Sequence, residues 1–76
     1  MEDLVLTLVR GLVDNPADVR VEVMEDDHSI LYELKVHPDD VGKVIGKGGR
    51  IIKAVRVVVT SAAARSGKRI AVEIAS

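Results

Sequence analysis

Three glycines and a lysine separate two stretches of helical periodicity near the middle of this 76-residue chain, in the segment VIGKGGRIIKAV. Gly46, Gly48 and Gly49 fall close together, and a glycine inside a helix costs up to about 1 kcal/mol relative to alanine. A single helix running through this segment would therefore be destabilised by all three glycines together. The segment predicts two consecutive helices joined by a tight turn.

The spacing of apolar residues predicts the remaining elements. Apolar residues that recur every three or four positions indicate a helix, and strict alternation indicates a half-buried strand. The segment VRVVVT is rich in β-branched residues and alone could form a strand, but its valines continue a helical stripe that begins at Ile51. The predicted elements are a helix over 3–13, strands over 19–24 and 30–37, a short helix over 38–45, a longer helix from the glycines through 64, and a strand over 70–75.

This order predicts the architecture. The first two strands are joined by the short polar turn EDDHS and should pair as an antiparallel hairpin. A crossover through two helices should place the third strand parallel to the second, and this crossover should be right-handed. Each strand has one apolar face, so the helices should cover one side of the sheet. We expect a single α+β domain over residues 1–76, a two-layer sandwich with a three-stranded mixed sheet.

Composition narrows the class of protein. The chain has no cysteine, so neither disulfides nor thiolate zinc sites can stabilise it. No apolar run reaches the roughly 20 residues of a membrane span, and the apolar start follows two acidic residues, so we expect a cytoplasmic protein. Residues 1–40 carry eleven acidic and three basic side chains, net −8, whereas residues 41–76 carry eight basic and one acidic, net +7. This asymmetry suggests a polyanionic partner for the basic half.

The glycine segment lies in that basic half and allows two interpretations. A plain turn needs one or two glycines at the helix ends. A phosphate-binding loop uses the missing side chains to expose backbone N–H groups at the start of a helix, where the dipole favours an anion. The second interpretation also accounts for Lys47, Arg50 and Lys53. A nucleotide-binding P-loop fits poorly, because the spacing is one residue short and no hydroxyl follows the lysine.

Other candidate sites are weaker. His28 lies in an acidic turn that could suggest a metal site, but no second group of ligands accompanies it. His37 precedes Pro38 and should mark a strand-to-helix junction. No serine has a base at a recognisable spacing, so we expect no enzyme activity, catalytic residue, metal or cofactor. Lys43, Lys68 and Arg69 either extend the basic surface or are ordinary solvated charges.

The segment VIGKGGRIIKAV resembles the signature of KH domains, in which an apolar pair precedes a G-x-x-G loop and an isoleucine follows it. The predicted element order resembles the prokaryotic, type II, form of that fold. With the flanking segments HPDDVGKVIGKGGR and ARSGKRIAVEI, the chain resembles, along essentially its whole length, bacterial stand-alone KH proteins of the KhpA (YlqC) type. The resemblance implies binding of short single-stranded RNA, about four nucleotides at a time.

The resemblance also implies which residues bind. Gly46, Lys47, Gly48 and Gly49 would hold the sugar-phosphate backbone, while apolar residues on either side, including Ile51, would pack the core or line the groove for the bases. The expected RNA-binding set is Lys43, Val44, Ile45, Gly46, Lys47, Gly48, Gly49, Arg50, Ile52 and Lys53. The family further suggests post-transcriptional regulation, RNA-chaperone activity and links to cell shape and cell-wall organisation.

Surplus apolar surface suggests a protein partner. The first helix is apolar around a wider arc than one packing face requires, and Val57 falls on the polar side of the long helix. Both features suggest a homodimer, and the resemblance adds a heterodimer with a larger KH-containing protein of the KhpB (Jag/EloR) type. The alternative function is therefore a protein-interaction adaptor in which RNA binding is secondary.

Overall fold

The computed structural model describes residues 2–75, and its elements follow the predicted order. The helices are α1 (Glu2–Arg10), α2 (Val41–Ile45) and α3 (Arg50–Ala62), and the strands are β1 (Arg20–Glu25), β2 (Ser29–Lys35) and β3 (Arg69–Ile74). Short 3-10 turns occupy Pro16–Asp18, Pro38–Asp40, Lys47–Gly49 and Ala64–Ser66. No helix within residues 2–75 is both long enough and apolar enough to span a bilayer.

The sheet has the predicted pairing, with strand order β1-β2-β3. β1 and β2 are antiparallel, with Val23 opposite Tyr32, and β2 and β3 are parallel, with Tyr32 opposite Val72. The turn before β2 is closed by Asp26, whose Oδ1 accepts hydrogen bonds from the N–H groups of His28 and Ser29, each at 2.7 Å. The predicted mixed sheet is therefore confirmed.

One face of the sheet carries the core. Because side chains alternate along a strand, Ile30, Tyr32 and Leu34 point to the same side, and all three are buried together with Val72. On the opposite face Glu73 is exposed, whereas Leu31, Glu33 and Ala71 are half-buried. Buried residues of all three helices complete the core: Val5, Val9, Val44, Ile52, Val55 and Val59. The helices therefore lie on one side of the sheet, which confirms the two-layer sandwich.

The first helix is shorter than predicted and ends at Arg10 rather than at residue 13. Gly11 disfavours helix, and the N–H of Leu12 donates to the carbonyl of Val9 at 3.0 Å, which tightens the end into a 3-10-like turn. Beyond it, the N–H groups of Asp14 and Asn15 are held by a distant side chain instead of continuing the helix.

The β-branched segment is helical, as its apolar stripe predicts. α3 buries Ile52, Val55 and Val59, so packing against the sheet outweighs the β propensity of the valines. The helix ends at Ala62, two residues earlier than predicted, and the chain then makes a 3-10 turn before Gly67 adopts φ 70°. Val58 and Ala62 belong to the same predicted stripe, but both are exposed. The stripe is therefore only partly a core face.

Candidate functional site

The three glycines adopt backbone conformations that other residues rarely take. Gly46, Gly48 and Gly49 have φ of 75°, 66° and 77°. Gly46 is also closely packed, since a Cβ there would lie 2.6 Å from Cγ1 of Ile51. Nothing lies within 4 Å of a Cβ built at Gly48 or Gly49, so the outer side of the loop is open. The glycines thus serve two purposes: Gly46 lets α2 and α3 approach, and the other two form an uncovered turn.

The loop exposes fewer backbone donors than the sequence suggests. The N–H groups of Gly46, Gly49 and Arg50 donate to carbonyls of Gly42, Gly46 and Lys47 respectively. Within residues 2–75, no carbonyl accepts from the N–H of Lys47 or of Gly48. The loop therefore offers two unoccupied donors just before the N-terminus of α3, where the helix dipole favours an anion.

Three of the predicted cations lie at these donors or within a few residues after them in the sequence. Lys47, Arg50 and Lys53 are exposed, and none of them forms an ion pair within the described part of the chain. Lys43 and Lys68 differ, because Lys43 pairs with Asp14 and Lys68 pairs with Glu25. The charges of the two halves therefore neutralise one another in part. Lys47, Arg50 and Lys53 leave unpaired positive charge at the loop and the first turn of α3, and Arg56, Arg65 and Arg69 are further exposed cations without an ion pair among the described residues.

The apolar members of the predicted set separate into two groups. Val44 is 0% exposed and Ile52 is also buried, so both pack the core and cannot contact a ligand directly. Ile45 is 37% exposed and lies immediately before the loop, while Ile51 is half-buried behind Gly46. Of these residues, Ile45 has the most exposed side chain. The resemblance alone left open which residues pack and which line the groove.

A buried carboxylate next to the site was not predicted. The sequence suggests that Asp39 and Asp40 both complement the dipole of the following helix, but only Asp39 is exposed. Asp40 is 0% exposed and makes no capping bond to its own helix. Its carboxylate instead accepts hydrogen bonds from the backbone of Asp14 and Asn15 and from the Asn15 side chain. No local pattern could reveal this contact, because the partners are 25 and 26 residues away.

The ionisation of Asp40 follows from these contacts. Burial by itself raises the pKa of the carboxyl, but the Asn15 amide, the two backbone N–H groups and the nearby Lys43 ammonium favour the charged form, and the pKa is lowered overall. Hydrogen bonding to Asp14 raises the pKa of Lys43 in turn. A lowered carboxyl pKa stabilises the fold above the ordinary aspartate pKa of about 4, and this contribution is lost as the pH falls through the value in the folded state.

A second unpredicted contact involves Arg56, whose Nε donates to the carbonyl of Val72 at 3.0 Å. The bond joins the side of α3 to β3, which is an edge strand of the sheet. The histidines have ordinary local roles: His28 lies in the exposed turn, and Nδ1 of His37 accepts from the N–H of Asp39 at 3.1 Å. Residues 2–75 contain no group of three His, Cys, Asp or Glu side chains placed to hold a metal ion.

Two helices joined by a glycine loop, packed on a sheet with this mixed pairing, define the type II KH fold. Solved structures of Era have the same architecture over part of their length. The Aquifex aeolicus Era Y63A structure bound to GDP.AlF4- matches with a TM-score of 0.69 and 17% identity, over 97% of this chain and 30% of the Era chain. A structure of Era in complex with MgGDPNP and nucleotides 1506–1542 of 16S ribosomal RNA matches with a TM-score of 0.66 over the same shares. At this identity the likeness concerns the fold alone.

The sequence comparison is more specific. The family model described as KhpA/KhpB, KH domain, matches residues 2–74, and this chain belongs to that family. The RNA-binding protein KhpA of Clostridium perfringens is 51% identical over 97% of this chain and 99% of its own length. Its namesake in Chlamydia pneumoniae is 42% identical over 97% of this chain and 95% of its own length.

Proposed function

We propose that this chain binds short single-stranded RNA, with the 46–49 loop holding the sugar-phosphate backbone. The observation that carries the proposal is the open glycine turn. In it the N–H groups of Lys47 and Gly48 are unoccupied and immediately precede the N-terminus of α3. Relatives about 50% identical over nearly the whole chain are named RNA-binding proteins, which supports RNA as the ligand. The protein would act in the cytoplasm without a cofactor or a catalytic step.

The proposed binding residues have different roles. Gly46, Gly48 and Gly49 shape the loop, and Lys47 supplies charge at its tip. Arg50 and Lys53 extend the positive charge along α3, while Ile45 contacts a base. Val44 and Ile52 act indirectly through core packing, and Lys43 contributes less than the other cations because Asp14 and Asp40 already hold its ammonium group.

The salt dependence of RNA binding tests this proposal. A fluorescein-labelled, unstructured RNA of about ten nucleotides should bind with a log–log salt slope of about −2 to −3, because three or four phosphates each contribute about −0.7. The measurement is fluorescence anisotropy between low and physiological salt. Duplex RNA of the same sequence serves as the control and should bind more weakly, since unpaired bases are needed in the groove. A slope near zero, or equal affinity for the duplex, would contradict the proposal.

We also propose that the chain pairs with a second KH domain, either its own copy or a KhpB (Jag/EloR)-type partner, as an adaptor would. An apolar groove of about 360 Å³ runs between α1 and α3. Leu8 and Leu12 line it from one side, and Ala54 and Val58 line it from the other. A domain that contacts few phosphates binds weakly, and pairing would raise its apparent affinity through effective concentration.

Two neighbouring valines provide a matched test of pairing. Val58 lines the groove and is 42% exposed, whereas Val57 is 66% exposed and lies outside it. Val58→Lys should convert the proposed dimer into a monomer, because burying an unpaired ammonium group in an apolar contact is unfavourable. Val57→Lys should leave the dimer intact, because Val57, which the sequence suggests as a dimer feature, lies outside the groove proposed here as the contact. Analytical ultracentrifugation checks both, and equal behaviour of the two variants would exclude the groove as the contact.

A further inference from the structure

Asp40 is the one charged side chain that is fully buried within residues 2–75. Removing a carboxylate from water is costly unless hydrogen bonds replace its hydration. Here Oδ2 accepts from the backbone N–H and the Nδ2 of Asn15, each at 3.0 Å, and Oδ1 accepts from the N–H of Asp14 at 3.3 Å. The ammonium group of Lys43 lies 3.7 Å from Oδ1. The carboxylate is therefore well compensated, but all of its side-chain hydrogen bonds lead away from its own helix.

That direction is unusual for the position. Asp40 immediately precedes α2, where an aspartate ordinarily bonds to the first N–H groups of the helix. It makes no such bond and instead holds the connection between α1 and β1, which lies 25 residues earlier in the chain. Asp40 consequently fixes the start of α2 to the connection between α1 and β1 and does not cap the helix.

The helix attached there has few other anchors. α2 contains five residues, too few to be stable by itself in water, and Val44 is its one buried side chain. Its last turn leads directly into the loop, because the N–H of Gly46 donates to the carbonyl of Gly42 at 2.9 Å. The position of the loop therefore depends on α2. That helix is held by Val44 near its end, by the ion pair of Lys43 with Asp14, and by Asp40 at its start.

We infer that Asp40 is a positioning residue for the 46–49 loop: its bonds to Asp14 and Asn15 fix the start of α2 and thereby the orientation of the loop donors. The inference rests on the proposed function in so far as those donors bind RNA. Lys43 takes part in the same network, because its ammonium group pairs with both Asp14 and Asp40. Its main role is thus to support the loop rather than to contact phosphate.

The test compares Asp40→Asn with Val9→Ala in the full chain. Asparagine has the shape of aspartate but carries no charge, and its NH₂ group cannot accept from the Asn15 amide. Val9→Ala removes packing from the core at α1 but none of the hydrogen bonds to Asp40, so it controls for a general loss of stability. Asn15→Ala deletes one of the three hydrogen bonds to Asp40 and gives a milder variant if Asp40→Asn does not fold.

Amide NMR and RNA affinity both report on the conformation of the loop. In Asp40→Asn, amide NMR signals of Gly46, Gly48 and Gly49 should shift, and exchange of the Gly49 N–H, which donates to Gly46, should accelerate by about tenfold through local opening. Affinity for the ten-nucleotide RNA should fall by about fivefold, because apparent affinity scales with the fraction of chains that hold the competent loop. Asn15→Ala should change both readouts in the same direction to a smaller extent.

Val9→Ala should leave both readouts unchanged at temperatures where it is folded. Shifts confined to residues near 14–15 and 40–43, with an undisturbed loop, would overturn the inference, as would equal loop changes in Val9→Ala. If the unmodified chain binds no RNA, the proposed function fails, while the NMR comparison on the free chain still decides whether Asp40 positions the loop.

Discussion

Lys47→Asp combined with Gly48→Asp should weaken the binding of single-stranded RNA by at least about 30-fold at physiological salt, because three units of charge change where phosphate would bind. The fold should tolerate both changes. Lys47 is exposed, nothing lies within 4 Å of a Cβ at Gly48, and aspartate is among the residues that adopt positive φ most readily. The melting temperature should fall by only a few degrees, measured by circular dichroism alongside the anisotropy titration.

A neutral pair of substitutions separates charge from shape. Lys47→Gln with Gly48→Asn introduces side chains of similar size without negative charge, and it should weaken binding by several-fold only. Comparable losses in the two double variants would mean that the glycine conformation matters and the electrostatic attraction does not. Unchanged recovery of crosslinked RNA with the aspartate pair would favour the adaptor function over RNA binding.

Gly46→Ala should be the most destabilising single change in the loop. The backbone at Gly46 has φ 75° and ψ 173°, a region that is essentially restricted to glycine. The new Cβ would also lie 2.6–2.9 Å from three side-chain atoms of Ile51, which begins the α3 face behind the loop. We expect a loss of about 3 kcal/mol in the free energy of unfolding from strain and overpacking together. For a domain of this size, that corresponds to a fall of about 15 °C in melting temperature.

Gly48→Ala is the matched control for Gly46→Ala. It has a similar positive φ of 66°, but its ψ of 19° lies in the milder left-handed region and no neighbouring atom lies within 4 Å, so it experiences a smaller backbone strain and no steric clash. Its cost should be about 1 kcal/mol. Chemical denaturation of both variants provides the comparison. Equal losses would show that neither the contact with Ile51 nor the extended ψ at Gly46 adds to the cost of a positive φ.

Most of the fold could be predicted from local patterns. The alternation around Val21 and Val23 and around Tyr32 and Leu34 indicated two strands, and the observed pairing aligns those residues. The helical stripe through Val55 and Val59 outweighed the β propensity of its neighbours. These predictions succeed because side-chain direction repeats every two residues in a strand and every 3.6 in a helix, so burial leaves a periodic record in the sequence.

The predicted end of α1 and the predicted role of Lys43 were less accurate, and at both places distant segments of the chain are in contact. α1 stops three residues early, just before Gly11, Asp14 and Asn15 beyond it bond to Asp40, and the apolar residue Leu12 lines an open groove instead of the core. The same contact changes the interpretation of Lys43. The sequence leaves Lys43 either as part of the basic RNA-binding surface or as an ordinary solvated charge, and the fold pairs it with Asp14. In each case a residue of one half of the chain decides the role of a residue in the other.

The amino-acid sequence by itself determined the order and pairing of the elements and the place of the glycine loop, because periodic burial and the conformational freedom of glycine act over a few residues. The tertiary structure alone decided which loop N–H groups lack an acceptor, which lysines already have a carboxylate partner, and what Asp40 holds. The reason is physical: hydrogen bonds and ion pairs form between groups that folding brings within about 3 Å of each other, and the partners of Asp40 are 25 and 26 residues away along the chain.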